Sequence, residues 1–294
     1  MKGGGAVRTI ETLREAKHQA FLARKLVRKM RARIALRAHD RQWARNEAAN
    51  PFRYRDGMFP YTFLSRDTPR IEDVEPAPRV LWAIWLGPDP RARRAASLQA
   101  LRDQPGLDVR LIREPASLEL AGHPFHPAYH HLHVVHRSDY LRAYAMHHYG
   151  GAYCDVKPLT STVRAVIDDL NSDDDAWAIG YREVTSTYVG DLPHELGGYL
   201  KAHYRAVLGP SAFVFRPRST FTTEWMRELH ARLDYYHEPL QEAQAAGCDP
   251  YAAPPQYPIR WSEILADITQ PLCLKHQAHV RFTDRIRPML KDYR

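Results

Sequence analysis

Residues 80–86 read Val80-Leu81-Trp82-Ala83-Ile84-Trp85-Leu86, an unbroken apolar run that Gly87-Pro88 closes. A short run without polar alternation is the pattern of a strand buried on both faces, as strands of parallel sheets are. A helix is expected from about Pro90 to Asp103, then a strand around Val109-Arg110-Leu111-Ile112. Two strands joined through a helix form a parallel pair, so the segment predicts an α/β fold with a mostly parallel sheet. Further on, Ala152-Tyr153-Cys154-Asp155-Val156, Trp177-Ala178-Ile179-Gly180 and Ala212-Phe213-Val214-Phe215 read as strands. Helices are expected from Ser138 to Gly150-Gly151, and from a cap at Thr220 to about Tyr236.

The chain ahead of this region has another character. Residues 10–48 contain no proline or glycine and are rich in helix formers. Leu13, Ala16, Ala20, Ala23, Val27, Met30 and Ile34 recur at three- and four-residue steps, predicting an apolar stripe with most Arg and Lys elsewhere. One long basic amphipathic helix, or two joined ones, would end at Asn50-Pro51, because the residue before proline is pushed out of helical geometry. Residues 51–78 carry Pro51, Pro60, Pro69, Pro76 and Pro78 and read as an extended connector. Tyr54, Phe59, Tyr61 and Phe63 are available to pack that connector onto the body. The expected organisation is a helical arm over 1–50, a connector over 51–78 and a main domain over 79–294.

The 294 residues are 44% hydrophobic and 26% charged, an ordinary globular composition that excludes wholesale disorder, collagen-like repeats and disulfide scaffolds. No stretch approaches the roughly 18 apolar residues that span a bilayer. The basic N-terminal residues run on without the apolar core of a secretory signal. Cys154, Cys248 and Cys273 are the only cysteines and show no CxxC spacing, which suits a reducing compartment and argues against structural zinc. A cytoplasmic location is expected. Residues 1–48 hold 13 Lys and Arg against Glu11, Glu15, Asp40 and Glu47, a net of +9. The whole chain has 42 basic and 34 acidic residues, so the remainder holds 29 against 30 and is nearly neutral. The net charge of +8 therefore belongs to the arm.

The stretch richest in chemistry is Ser138-Asp139-Tyr140-Leu141-Arg142, followed by Gly150-Gly151-Ala152-Tyr153-Cys154-Asp155-Val156-Lys157. Ser138 is expected to cap the helix, with Asp139 in its first turn at the positive end of the dipole. Asp139 and Arg142, three residues apart, share a helix face and can present a carboxylate beside a guanidinium. The glycine pair lets the chain reverse and allows close backbone approach. The strand then delivers Asp155 to its carboxyl end, the edge at which open α/β sheets bind ligands. Taken singly, each piece also fits a surface ion pair or an ordinary helix stop.

Taken in order, Ser-Asp-x-x-Arg followed by Gly-Gly-x-Tyr-x-Asp resembles the donor-sugar region of DXD-type glycosyltransferases of GT-A fold. The likeness is strongest to bacterial capsular polysaccharide synthesis proteins, related to initiating mannosyltransferases of the yeast outer-chain type. It extends over most of residues 79–275. The run from Arg79 to Gly87 is similar to the opening strand of that group, and Gly209-Pro210-Ser211-Ala212-Phe213-Val214-Phe215-Arg216-Pro217 to a later strand bordering the donor site. Tyr257-Pro258-Ile259-Arg260-Trp261-Ser262-Glu263 resembles a late segment of the capsular group. The resemblance implies transfer of a sugar from a nucleotide-sugar donor to a carbohydrate or lipid-linked acceptor in surface or capsular polysaccharide synthesis. It implies retention of configuration, as in the related mannosyltransferases.

The resemblance assigns Asp139 and Arg142 to donor contacts, Trp85 to the base, and Gly151 and Tyr153 to positions close to the donor. Asp155 becomes the first carboxylate of a DXD element, whose carboxylate pair holds Mn²⁺ or Mg²⁺ on the diphosphate. Trp261 is assigned to the acceptor and Glu263 to catalysis, although a packed tryptophan and a surface glutamate fit the same residues. The motif departs from the family at Lys157, which occupies the place of the second carboxylate. Asp155 could still hold a metal with help from Glu195 or Glu263. Lys157 could instead neutralise the diphosphate itself, since side chains two apart on a strand share a face. The domain could also be a non-catalytic sugar- or nucleotide-binding module.

Histidines at 123, 126, 130, 131, 133, 136, 147 and 148 lack the HExxH pattern and read as solvated or core-edge residues. Asp173-Asp174-Asp175 reads as a solvated loop. The arm fits three roles: lying on an anionic membrane surface through residues 10–48, packing on its own domain or a partner, or contacting nucleic acid. No basic face in the remaining chain supports nucleic acid. The resemblance implies work at the inner membrane face on lipid-linked or growing acceptors, so a peripheral position there is expected, with packing on the domain or a partner the next role.

Overall fold

The computed structural model describes residues 4–90, 92–159, 161–247 and 256–289, and the chain divides into two compact units, Met1–Pro51 and Phe52–Arg294. The first unit is a single helix, α1 (Gly4–Ala49), of 46 residues. Its last bond runs from the Asn50 N–H to the Asn46 carbonyl, and Pro51 has no N–H with which to continue. The side chains of Leu13, Ala16 and Ala20 lie outside the described residues. Phe21, Leu22, Leu26, Val27, Met30 and Ile34 are exposed. The expected segregation is corrected here. At 3.6 residues per turn Phe21 and Leu22 fall off the stripe, and cations alternate with apolar residues around the helix.

The second unit is built on a six-stranded mixed sheet of order β2-β1-β3-β5-β4-β6. The strands are β1 (Val80–Ile84), β2 (Asp108–Ile112), β3 (Gly151–Cys154), β4 (Ala178–Arg182), β5 (Leu208–Phe215) and β6 (Val280–Phe282). β1 pairs in parallel with β2 and β3, and β4 with β6; β5 is antiparallel to both β3 and β4. Five strands thus point one way and β5 alone is reversed. The helices are α2 (Ala92–Arg102), α3 (Val134–His148), α4 (Val163–Asn171), α5 (His194–Ala202), α6 (Thr220–Ala245) and α7 (Ala266–Lys275).

The two-residue period of the strands sorts the core into two layers. Leu81, Ala83, Ala152, Cys154, Ala212 and Val214 face Leu98 and Leu101 of α2 and Val163, Val166, Ile167 and Leu170 of α4. The intervening residues face the other way: Trp82 meets Tyr149 beyond α3, while Phe213 and Phe215 meet Trp225 of α6. With both faces covered, Leu81 to Ile84 of β1 are buried, while Val80, Trp85 and Leu86 at the ends of the apolar run are partly exposed. Gly150 and Gly151 supply the backbone that carries α3 into β3, with φ of +67° and +90°.

The segment from Phe52 onward belongs to this unit. Phe52 and Phe59 are buried and meet Tyr199 of α5 edge-on, and Asn171 clamps the Ala77 backbone through two hydrogen bonds of 2.8 Å. Tyr54 and Phe63 are half-buried, but Tyr61 is fully exposed and anchors nothing. Two helix limits also differ from expectation. α3 begins at Val134, so Ser138 lies inside it and Asp139 is in its second turn, beyond the reach of the helix dipole. Its start is fixed by tertiary contact instead: Tyr257 stacks on His133, and its hydroxyl takes the His133 N–H at 3.3 Å. α6 is capped by Ser219 rather than Thr220, and it continues through Pro239 to Ala245 because Leu240 and Ala243 are buried.

Candidate functional site

A cleft of about 650 Å³ opens at the carboxyl edge of the parallel strands. The chain leaving β1 contributes Trp85 to Pro88, and the turn after β3 contributes Asp155, Val156 and Lys157. Because β5 is reversed, its N-terminal half, through Pro210 and Ser211, reaches the same edge. α3 supplies Ser138, Asp139 and Arg142, and the approach to α7 supplies Trp261 and Ser262. The edge is the one at which strands of one direction end and loops diverge, which makes a ligand-sized crevice.

Arg142 organises the polar wall. Its guanidinium lies over the Tyr153 ring at 4.2 Å and donates to the Pro210 carbonyl at 2.8 Å. It stands 3.5 Å from Oδ1 of both Asp139 and Asp155. Asp155 Oδ1 accepts the Tyr153 hydroxyl at 2.8 Å, and Oδ2 accepts Lys157 Nζ at 2.7 Å. Lys157 Nζ also donates to Ser211 Oγ at 3.0 Å. The lysine reaches the carboxylate through a turn rather than along a strand: β3 ends at Cys154, and the Lys157 N–H bonds back to the Asp155 carbonyl.

Burial and charge separate the two carboxylates. Burial pushes the Asp139 carboxyl up to about 7, with Arg142 opposing it and Asp155 reinforcing it more weakly. Burial also raises Asp155, but Arg142, Lys157 and the hydrogen bonds from Lys157 and Tyr153 outweigh it, leaving Asp155 below the ordinary carboxylate range. Burial works against the Arg142 charge, yet Tyr153, Asp139 and Asp155 hold its pKa above the ordinary value. Burial drives the Tyr153 hydroxyl well up, so it serves as a donor.

Of the residues singled out from sequence, Trp85, Asp139, Arg142, Tyr153, Asp155, Lys157 and Trp261 line this cleft. Trp85 is half-buried and donates Nε1 to the Pro88 carbonyl at 2.6 Å, while Trp261 is 70% exposed. Two do not belong to the wall. Gly151 sits in β3 against β1, where an added Cβ would meet the Val80 carbonyl at 2.8 Å; it seats the strand and touches no cleft space. Glu263 is buried and does not line the cleft; it accepts the Tyr236 hydroxyl at 2.8 Å and the Arg260 N–H at 2.9 Å, bracing the chain ahead of α7. Asp173 pairs with Arg281 across the loop before β4.

Arg94 and Ser211 are wall residues that the sequence did not single out. In the sequence Arg94 follows Arg91 and Arg93 with nothing to distinguish it, and only the fold turns it to the Val156 carbonyl at 2.7 Å. Ser211 lies within residues 209–217, a stretch that carries no signal for the serine's own role. Cys154 and Cys273 are buried, and Cys248 lies outside the described residues. Comparison with family models, curated proteins and solved structures finds no match to the chain.

The donor set does not suit a divalent cation at Asp155. Mg²⁺ and Mn²⁺ need carboxylate oxygens to spare, and Mg²⁺ sits about 2.0–2.1 Å from each ligand. Both Asp155 oxygens already accept hydrogen bonds, and an ion on Oδ2 would lie beside an ammonium group. Glu195 is exposed on α5, and neither it nor Glu263 lines the cleft. Among the described residues no three His, Cys, Asp or Glu side chains converge as metal ligands.

Proposed function

We infer that the protein is a glycosyltransferase that takes its sugar from a nucleotide-sugar donor, and that its α/β unit is of GT-A type. The observation that carries this reading is convergence. Asp139, Arg142, Tyr153 and Asp155, spread over a helix, a strand and the turn that follows it in the Ser-Asp-x-x-Arg and Gly-Gly-x-Tyr-x-Asp order, meet in one cleft at the carboxyl edge of the sheet, where open α/β sheets bind ligands. Trp85 offers an aromatic wall to the base, and Arg142 and Lys157 offer positive charge to the diphosphate. Trp261, exposed at the rim, offers a flat apolar face to a saccharide acceptor.

In the reaction the bond from the sugar C1 to the diphosphate oxygen breaks, and its electron pair leaves on that oxygen. The acceptor hydroxyl oxygen forms the new bond to C1. On the retaining course its proton passes to the departing diphosphate. Fixed cations aimed at the leaving oxygen stabilise the charge that develops there. Asp139, Tyr153 and Asp155 hold those cations in place.

The acceptor is a carbohydrate or a lipid-linked sugar. The exposed cations and large apolar residues of α1 support placement at an anionic membrane surface. No helix among the described residues is long and apolar enough to cross a membrane. The test is release of nucleoside diphosphate from a panel of UDP- and GDP-sugars, supplied with saccharide acceptors. At least one donor is expected to turn over, with Asp155→Asn reducing the rate by roughly two orders of magnitude, as loss of a preorganised electrostatic group does. No turnover and no binding of any donor would overturn the reading.

A further inference from the structure

Lys157 occupies the place where a second metal-binding carboxylate would stand, and its surroundings fix what it can do. It is 6% exposed, its ammonium lies 2.7 Å from Asp155 Oδ2, and it is also tied to Ser211 on β5. Among the described residues, the acidic and basic side chains lining the cleft are Arg94, Arg142 and Lys157 against Asp139 and Asp155. The wall therefore carries more positive than negative groups before any ion is added. A bound diphosphate would meet the field that a metal ordinarily supplies, with the cations already oriented by the protein.

Resting on the nucleotide-sugar reading, we propose that Lys157, supported by Arg142, stands in for the divalent cation, and that this cleft binds a nucleoside diphosphate as the metal-free species. Each group has a distinct part. Asp155 does not ligate a metal; it is the counter-ion that holds Lys157 at the sheet edge and keeps Arg142 facing the same space. Lys157 supplies a compact point charge. Arg142, flat on Tyr153 and bonded to the Pro210 carbonyl, supplies an oriented one. A divalent ion adds little here, because it would compete with an ammonium for Asp155 at close range.

Calorimetric titration of the full chain with UDP and with GDP, in EDTA and again in excess Mn²⁺, tests this. At least one nucleotide is expected to bind wild-type protein with affinities agreeing within about twofold between the two conditions. Lys157→Ala is expected to weaken binding roughly ten- to a hundredfold, the worth of a charge-assisted contact, with no rescue by Mn²⁺. Lys157→Arg should recover part of that loss. Lys157→Asp, which restores a second carboxylate, should bind only when Mn²⁺ is present. Thermal melting of each variant establishes that it is folded. Wild-type binding that EDTA abolishes and Mn²⁺ restores overturns the metal-free proposal and leaves the nucleotide-sugar reading standing. So does an unchanged affinity in folded Lys157→Ala. Absence of binding to both nucleotides in both conditions sinks the nucleotide-sugar reading itself, and this proposal with it.

Discussion

Arg142 is buried between two carboxylates, so its removal would leave Asp139 and Asp155 without their shared cation. Deleting one partner of a buried charge cluster costs about 3–5 kcal/mol, more than the intact cluster contributes. Arg142→Ala is therefore expected to lose that much in urea unfolding, and a loss under about 0.5 kcal/mol, typical of surface positions, would contradict the arrangement. Asp139 makes a prediction of opposite sign with pH. Its folded pKa of about 7 lies above the ordinary 3.8, so the folded state binds the proton more tightly than the unfolded chain does. Its contribution to stability is fully present below the ordinary value and is lost as pH rises through about 7. Wild-type protein should melt progressively lower than Asp139→Asn as pH rises from about 4 to about 8; parallel melting curves would show that burial does not perturb this carboxyl.

At the scale of elements, the turn between α3 and β3 decides where Asp155 arrives. An alanine Cβ at Gly150 would meet Pro217 Cδ at 2.5 Å, and at Gly151 the Val80 carbonyl at 2.8 Å, both on backbone of positive φ. Gly151→Ala should cost about 1–3 kcal/mol from backbone strain alone, measurable as a shift in the denaturation midpoint, and should also lower donor affinity by displacing the Asp155 turn. A variant as stable as wild type would show that the close approach to β1 is not obligatory. This turn was legible in the sequence because glycine is the residue that such a conformation requires. The first strand was legible because a sheet covered on both faces demands unbroken apolarity. The start of α3 was not: a local reading finds Ser138 and Asp139 as the cap, whereas the N-terminal N–H at His133 is satisfied by Tyr257, 124 residues away. The length of α6 was hidden for a similar reason, since Pro239 disfavours a helix that burial of Leu240 and Ala243 sustains. The reversed direction of β5 leaves no mark in its residues, yet it brings Ser211 to Lys157.

For the whole molecule, the chain separates its charge from its chemistry. Among the described residues, the cations of α1 from Lys17 to Arg45 are exposed, and the cleft is built entirely within Phe52–Arg294. A basic residue near an anionic lipid surface is worth about 1 kcal/mol, so each one removed should weaken attachment roughly fivefold. Replacing Arg24, Lys25, Arg28 and Lys29 with Glu is expected to abolish co-sedimentation with phosphatidylglycerol vesicles at moderate salt. Equal binding of both proteins, or equal binding to neutral phosphatidylcholine vesicles, would remove the arm from membrane attachment.

The central claim concerns one crevice, and a crystal structure of the protein with UDP or GDP tests it most directly. The nucleoside diphosphate is expected between Trp85 and the Arg142–Lys157 cation pair, with its phosphates toward Lys157 and its base toward Trp85. Nucleotide bound at another face, or a cleft left empty at saturating nucleotide, would contradict the account.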